Sequence, residues 1–438
     1  MGNAHSSEYE RRYAAITLSV QGHPWAVILR RVQRSRGWLA KWLRRYHAQG
    51  RVGLRDASRT PRRIWRRTPA AQERRILAIR AELEAHRTRR AAFSGVGAET
   101  IQWELTRRGV RTVPSVATIE RILARHGCTG RGSRPHRHAG SEPYPGPRAA
   151  QMGDLQQTDL VGPRYLRGPQ GVTRFYSFHT VDVAGHTVAT TQARDKQAST
   201  LCRHLVTAWQ VLGVPVVSQM DNEMAATGGG RYPFSLSQVI RLHLLVGVHF
   251  IFIPPGSPGR QAAVESFNQL WQERVLRRHH CPTLAALRRL SQRFLRYYHD
   301  AKPHRQLTQL EHQTRFPGVL RERRWSSLRH VPATFRLAAY RNAHGRLHLP
   351  VAQGQVSWIR QVDGRGRIEV NGKSYFIRRR LSGQYVVATL FTHRQCLVMK
   401  QNDHIIKQFR FPIKETLVRP FVPRARRTLY NSSRCYEG

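Results

Sequence analysis

Three carboxylates stand out in a chain that uses few. Between residues 151 and 270 the acidic side chains number seven: Asp154, Asp159, Asp182, Asp195, Asp221, Glu223 and Glu265. None occurs from Met224 to Val264. Asp159 lies near the end of DLQQTDL (154–160), and Asp221 follows the apolar run of VPVVSQM (214–220). Glu265 sits in AAVESFNQLWQERVL beside apolar Val264 and Phe267, on a helical pattern. Isolated carboxylates from two strand ends and one helix suit a hard divalent cation, because Mg²⁺ prefers oxygen ligands and keeps several waters. Two such ions about 3.5–4 Å apart can activate an attacking oxygen and stabilise the leaving one on a phosphodiester. Asp182 and Asp195, at the ends of a strand and a turn, are expected to be solvated turn residues.

For Asp159 and Asp221 to meet, their strands must be neighbours. After DLQQTDL, the stretch TRFYSFHTVDVAGHTVATTQ predicts two strands that turn at Ala184-Gly185. KQASTLCRHLVTAWQVLG predicts a helix, VPVVSQM a strand, SLSQVIRLHLLVG a helix, VHFIFIP a strand and GRQAAVESFNQLWQERVLRR a long helix. This order predicts an α/β core over 151–307 whose later strands can run parallel to the first. In that arrangement strands 1 and 4 can pair, and both aspartates project at the carboxyl edge where open α/β sheets bind ligands.

The flanks differ in texture. Residues 8–56 alternate apolar and basic positions at helical spacing, with Ser35 placed to cap the last helix. That helix carries Lys41, Arg44 and Arg45, with Arg34 and Arg36 at its start, so 8–56 predicts a helix-turn-helix whose last helix can enter a DNA groove. A second such unit is expected over 68–127, opened by Thr68-Pro69, with Pro114-Ser115 starting its last helix. Between the two units, RDASRTPRRIWRRTP (55–69) has no apolar period and predicts an extended arm. Residues 128–150 predict a flexible linker. From 345 to 415 short alternating strands follow, with a hairpin at Asn371-Gly372, and predict a small all-β domain. Residues 416–438 form a basic tail.

Composition names the partner class. The chain has 74 Lys+Arg against 26 Asp+Glu, a formal charge of +48, which a polyanion such as nucleic acid would neutralise. Its hydrophobic fraction of 40% can fill real cores, which excludes a disordered basic tail. The cysteines, Cys128, Cys202, Cys281, Cys396 and Cys435, form no CxxC, so a zinc ribbon or redox pair is not expected and a reducing cytoplasm fits. No apolar run approaches ~18 residues, so no membrane span is expected. The opening Gly-then-Ser pattern matches myristoylation, a short motif that the rest of the chain argues against.

TDL (158–160), MDNE (220–223) and PPGSPGRQAAVESFNQLWQE (254–273) together resemble the Asp-Asp-Glu integrase core of retroviral integrases and bacterial insertion-sequence transposases. YYHDAKPHRQL (297–307) is similar to the segment that commonly follows that core, and GRVGLRDASRTPRR (50–63) to the one after the first DNA-binding unit. The resemblance implies a ribonuclease-H-like core and a C-terminal SH3-like barrel. It also implies polynucleotidyl transfer, in which Asp159 and Asp221 jointly hold one Mg²⁺ or Mn²⁺ and Glu265 completes a second. Water would first release a 3′-OH at the element end, and that 3′-OH would then attack target DNA with no covalent protein intermediate.

The sequence departs from the pattern in three places. Glu223 stands where Gly is usual, the Asp221–Glu265 spacing is longer through the loop at 225–235, and Gln261-Ala262 replaces Asn-Gly. The expected protein is a bacterial transposase, cytoplasmic and nucleoid-associated, acting as a homo-oligomer because two element ends must be joined. A catalytically silent DNA-binding regulator and a ribonuclease-H-type nuclease without strand transfer are the competing expectations.

Overall fold

The computed structural model describes residues 3–56, 68–88, 91–129, 144–222, 234–257, 259–309, 314–402 and 404–422. Most of the 55–69 arm, most of the linker, Glu223, most of the 225–235 loop, Cys435 and the tail from 423 lie outside them. The chain divides into two compact units, Met1–Pro69 and Ala70–Gly438.

The first unit has three helices, α1 (Asn3–Val20), α2 (Trp25–Val32) and α3 (Arg36–Gln49). Ala15, Ile28, Val32 and Leu39 form one core, and Ile16, Trp42 and Leu54 form another. Ser35 caps α3, accepting from Trp38 N–H at 3.3 Å, and so fixes where the basic helix begins.

The second unit opens with α4 (Ala70–Glu84), α5 (Ala98–Arg107) and α6 (Val116–Arg125). They close around Ile76, Ile79, Leu83, Ile101, Leu105, Ile119, Ile122 and Leu123. Ser115 caps α6 through Thr118 N–H. This block is anchored to the α/β core of the same unit. Phe93 packs on Phe294 at 5.5 Å, while Arg274 and Arg278 both donate to the Ser94 carbonyl.

The core follows the expected order. Strands β1 (Leu155–Gly168), β2 (Gly171–Asp182) and β3 (Val188–Ala193) form an antiparallel meander. Helix α7 (Ala198–Leu212) leads to β4 (Val217–Met220), which pairs with β1 in parallel. Helix α8 (Gln238–Val246) leads to β5 (His249–Phe252), parallel to β4. Helices α9 (Ala262–Trp271), α10 (Leu284–Asp300) and α11 (Pro317–Arg324) complete the layers. A π-turn at Gln272–Leu276 extends α9. With β3-β2-β1-β4-β5 as its order, this part of the sheet is ribonuclease-H-like.

The C-terminal strands are β6 (Gln355–Gln361), β7 (Arg367–Val370), β8 (Lys373–Phe376), β9 (Tyr385–Phe391), β10 (Cys396–Gln401) and β11 (His404–Arg410). Asn371 and Gly372 both take positive φ in the β7–β8 hairpin, as a two-residue primed turn requires. Hairpin residues Val370, Tyr375 and Ile377 share one core with Val386, Leu390, Leu397 and Met399, giving the small barrel. The barrel is also continuous with the core: β6 pairs in parallel with β5, making one nine-stranded sheet, β11-β10-β9-β6-β5-β4-β1-β2-β3. The physical cause is that β5 would otherwise be an open edge, with backbone groups needing partners.

Two consequences can be measured. Trp358 of β6 is 1% exposed and stacks on Phe252 of β5 at 5.7 Å. Trp358→Ala should cost about 3–5 kcal/mol. In urea it should shift one transition shared by core and barrel; a separate early barrel transition would show that they unfold independently.

His243 is fully buried and stacked on Phe250, with Nδ1 to Val239 O at 2.7 Å and Nε2 to Ser218 Oγ at 3.0 Å. Burial pushes its pKa down to about 3. The unfolded imidazole, at about 6.5, therefore binds a proton that the folded one refuses, and stability falls as pH drops below that value. In His243→Gln the stability difference between pH 7.5 and pH 5 should shrink by about 2 kcal/mol. An unchanged difference would show that His243 does not titrate on unfolding.

Candidate active site

The β1–β4 register places the two aspartates. Gln157 pairs with Gln219, and Asp159 and Asp221 lie two residues further along each strand. Side chains two apart share a sheet face, so the aspartates stand side by side on adjacent parallel strands at the carboxyl edge. Both line one narrow cleft with Thr158, Phe178, Lys196 and Met220.

Glu265 arrives from the first turn of α9. Its placement depends on a set of glutamine amides. Gln157 Nε2 donates to Gln219 Oε1 at 2.9 Å, while Gln157 Oε1 accepts the N–H groups of Ala263 at 3.2 Å and Val264 at 3.4 Å. Gln261, at the N-cap position of α9 and 3% exposed, donates to Gln219 O at 3.1 Å. The Gln-Ala that replaces Asn-Gly thus ties the helix start to β4.

The three carboxylates influence one another. Asp159 is pushed up to about 6, first by burial and then by the charges of Asp221 and Glu265. Asn268 donates to Asp159 Oδ2 at 2.7 Å and opposes that rise. Behind Asn268 stands His179, paired across from Asp159 on β2, with Nδ1 at 2.5 Å from Asn268 Oδ1. His179 Nε2 lies 2.7 Å from Ser177 Oγ, and Gln192 donates to that oxygen at 3.1 Å. Burial pushes His179 down to about 4, so it is neutral, and the network assigns its proton to Nδ1. A buried uncharged chain from Gln192 to Asn268 therefore fixes the Asp159 rotamer.

Among the described residues no three His, Cys, Asp or Glu side chains are close enough together to hold a metal ion. Glu265 Oε1 accepts from Gly259 N–H at 3.1 Å, which engages its carboxylate with the preceding loop. Asp159 and Asp221, which share the cleft, offer hard oxygen donors of the kind Mg²⁺ or Mn²⁺ takes.

Asn222, next to Asp221, is held from the barrel. Arg360 of β6, 7% exposed, donates to Asn222 Oδ1 at 2.6 Å and to Ile253 O at 3.1 Å. Asn222 Nδ2 also donates to Ile253 O at 2.6 Å. Arg260, in the loop before α9, lies over Tyr144 at 4.1 Å and near Tyr385 of β9 at 5.7 Å.

Arg34, just before α3, pairs with Glu8, and Arg45 lies over Trp42 at 4.7 Å while donating to Arg55 O at 2.9 Å. Arg34, Arg36, Lys41 and Arg44 are exposed, with Arg36 5.5 Å above Trp25 and Lys41 5.3 Å from the Trp42 ring. Asp182 is fully buried rather than solvated, because it accepts from Gly153 and Gly185 N–H, and Asp195, just before α7, accepts from Gln197 N–H and Thr200 Oγ1. Both are structural.

Sequence reasoning missed Gln157, Gln219, Asn268, His179 and Arg360. A signal for the first two was present, since Gln-Thr-Asp and Gln-Met-Asp repeat one spacing (157–159 and 219–221). Asn268 follows Glu265 by three residues, on the same helix face. Nothing local marked His179 or Arg360.

Residues 246–311 match the family "Integrase core domain", and residues 6–55 match "Homeodomain-like domain". No curated protein matches the chain. A simian T-cell lymphotropic virus intasome, solved with the PP2A regulatory subunit B56 gamma, is similar at 16% identity, 73% of this chain, 95% of that chain and TM-score 0.32. The HTLV-2 integrase catalytic core solved with magnesium is similar at 15% identity, 40% of this chain, 99% of that chain and TM-score 0.28. The BIV integrase catalytic core is similar at 15% identity, 40% of this chain, 98% of that chain and TM-score 0.28.

Gln219→Leu strands the Gln157 amide and should cost about 1–3 kcal/mol. In urea unfolding, Gln157→Leu/Gln219→Leu should lose less than the sum of the two single changes. Strict additivity would show that the two amides are not coupled.

Proposed function

We propose that this integrase- or transposase-like DNA-binding protein, an integrase core behind a homeodomain-like helix-turn-helix, is an insertion-sequence transposase that cuts element ends and joins them to target DNA. The observation that supports the proposal is the Gln157–Gln219 register, together with the one cleft that Asp159 and Asp221 both line.

Asp159, Asp221 and Glu265 are the residues proposed to hold Mg²⁺ or Mn²⁺, as two ions. When bound, such a pair activates the attacking oxygen and offsets charge on the phosphodiester. The chain supplies the positioning. Asn268 and neutral His179 keep Asp159 aimed at the cleft, Arg360 holds Asn222 next to Asp221, and Gln157 with Gln261 sets the pitch of α9.

The reaction has two displacements at phosphorus. A water oxygen bonds to phosphorus at the element end, the P–O3′ bond breaks, and a 3′-OH leaves. That 3′ oxygen then bonds to a target phosphorus and displaces the target's own 3′ oxygen. No protein nucleophile is required.

The first helical unit would select the ends, with Arg36, Lys41 and Arg44 facing DNA. Joining two ends calls for a homo-oligomer. Among the described residues no helix is long and apolar enough to cross a membrane.

The test uses full-length protein with labelled duplexes from the DNA flanking its coding sequence, and with Mg²⁺ or Mn²⁺. Wild type should cleave and join. Asp159→Asn, Asp221→Asn and Glu265→Gln should each lower both steps by at least ~10³-fold while DNA binding persists. Tight binding with no cleavage under either metal would leave a DNA-binding regulator. Cleavage without joining would leave a nuclease.

A further inference from the structure

Strand β1 runs on past Asp159. It continues to Gly168, turns, and returns as β2 from Gly171, with pairing that reaches the tip at Gly168↔Gly171. A register shift between Val161 and Arg164 re-aims the outer part of this hairpin.

The two faces of the ribbon differ. On the inner face Leu166 and Phe175 are buried against the α9–α10 core. Arg164 donates to Gln272 Oε1 at 2.7 Å, and a Cβ on Gly168 would meet Pro282 O at 2.1 Å. The ribbon is therefore pinned down along its length. On the outer face Tyr165 pairs across from Arg174, and Arg167 across from Val172. Tyr165 is 61% and Val172 66% exposed, and both arginines are exposed. No Asp or Glu occurs between Asp159 and Asp182.

Folding explains the inner face and leaves the outer one unexplained. An exposed tyrosine and two arginines, on a rigid two-stranded ribbon that carries no acid of its own, suit a polyanion. A ribbon of this width fits a groove of B-DNA, with arginines on phosphate oxygens and the aromatic ring against the groove wall. The span from Asp159 to Tyr165 is six residues, at most about 20 Å at roughly 3.3 Å per residue. One turn of B-DNA measures about 34 Å.

We propose that the outer face of the 164–174 ribbon is a DNA-gripping surface. Arg167 and Arg174 hold backbone phosphates and Tyr165 packs in the groove, within about one helical turn of the bond placed at Asp159 and Asp221. This rests on the transposase reading for its reference point, and its test does not need chemistry.

The probe is a fluorescent 30-bp mixed-sequence duplex bound to full-length protein across a KCl series, without divalent metal. Each lost phosphate contact lowers the slope of log K against log salt by roughly 0.9. Arg167→Ala/Arg174→Ala should reduce the slope by about 1–2 and weaken binding about tenfold or more near 0.1 M salt. Tyr165→Ala should weaken binding about tenfold with little change in slope, and Tyr165→Phe should bind like wild type. A charge-matched control, Arg341→Ala/Arg346→Ala, removes two exposed arginines from the 341–347 turn and should change the slope less. Thermal unfolding checks that each variant is folded.

Wild-type binding by Arg167→Ala/Arg174→Ala or by Tyr165→Ala, or a control that loses as much slope, overturns the proposal. Wild-type protein that fails to bind duplex at all would instead overturn the transposase reading.

Discussion

The parallel pairing of β1 with β4 is the constraint on which the rest depends. Three residue pairs, Leu155↔Val217, Gln156↔Ser218 and Gln157↔Gln219, hold it. Leu155 and Val217 bury one end of the shared face with Ile251 and Ile359, and the aspartates emerge at the other. A slip of one residue would turn one aspartate to the opposite face. The Gln157–Gln219 bond resists that slip, because each amide would lose its partner within the sheet, where unsatisfied polar groups are expensive. The same amides receive the start of α9, so register and helix pitch are set together.

Around this pair the second unit is a layered brace. The helical block reaches the core through Phe93 and the arginines that converge on Ser94, on the side of α9 and α10. The barrel reaches it from the opposite edge of the sheet, through β6 against β5 and through Arg360 on Asn222. The free edge at β3 is blunted by side chains: Arg288 donates to Gln192 O at 2.7 Å and His299 accepts Val188 N–H at 2.9 Å. Polar groups along this rim are thus engaged by the fold, which discourages pairing with another strand.

Charge is distributed with the same selectivity. With 26 acidic residues against 74 basic ones, a carboxylate is rare enough that its position carries information. Asp154, Asp182 and Asp195 each accept backbone N–H groups and close turns. Asp159 and Asp221 instead line one cleft, and burial together with the charges of Asp221 and Glu265 raises Asp159 toward neutrality. Cationic side chains surround such a site readily, but a chain this basic needs a polyanion to relieve its own repulsion.

By itself the sequence determined the element order, the helix starts at Ser35 and Ser115, the Asn371-Gly372 hairpin and three sparse carboxylates on a strand, just past a strand end and on a helix, although β1 runs on to Gly168 past the expected end near Asp159. All of these follow from local periodicity, capping chemistry and the scarcity of acids. Tertiary structure decided what local pattern cannot express. The partner of Asn268 is His179, 89 residues away, and the partner of Asn222 is Arg360, 138 residues away. The barrel joins the core sheet because β5 leaves an edge, which no property of residues 355–361 alone announces. Arg34, just before α3, meets Glu8, and Arg45 of α3 lies over Trp42, contacts that no local pattern specifies. Short-range energetics write themselves into spacing and composition. Which distant polar groups must satisfy one another is settled only when the chain has closed around them.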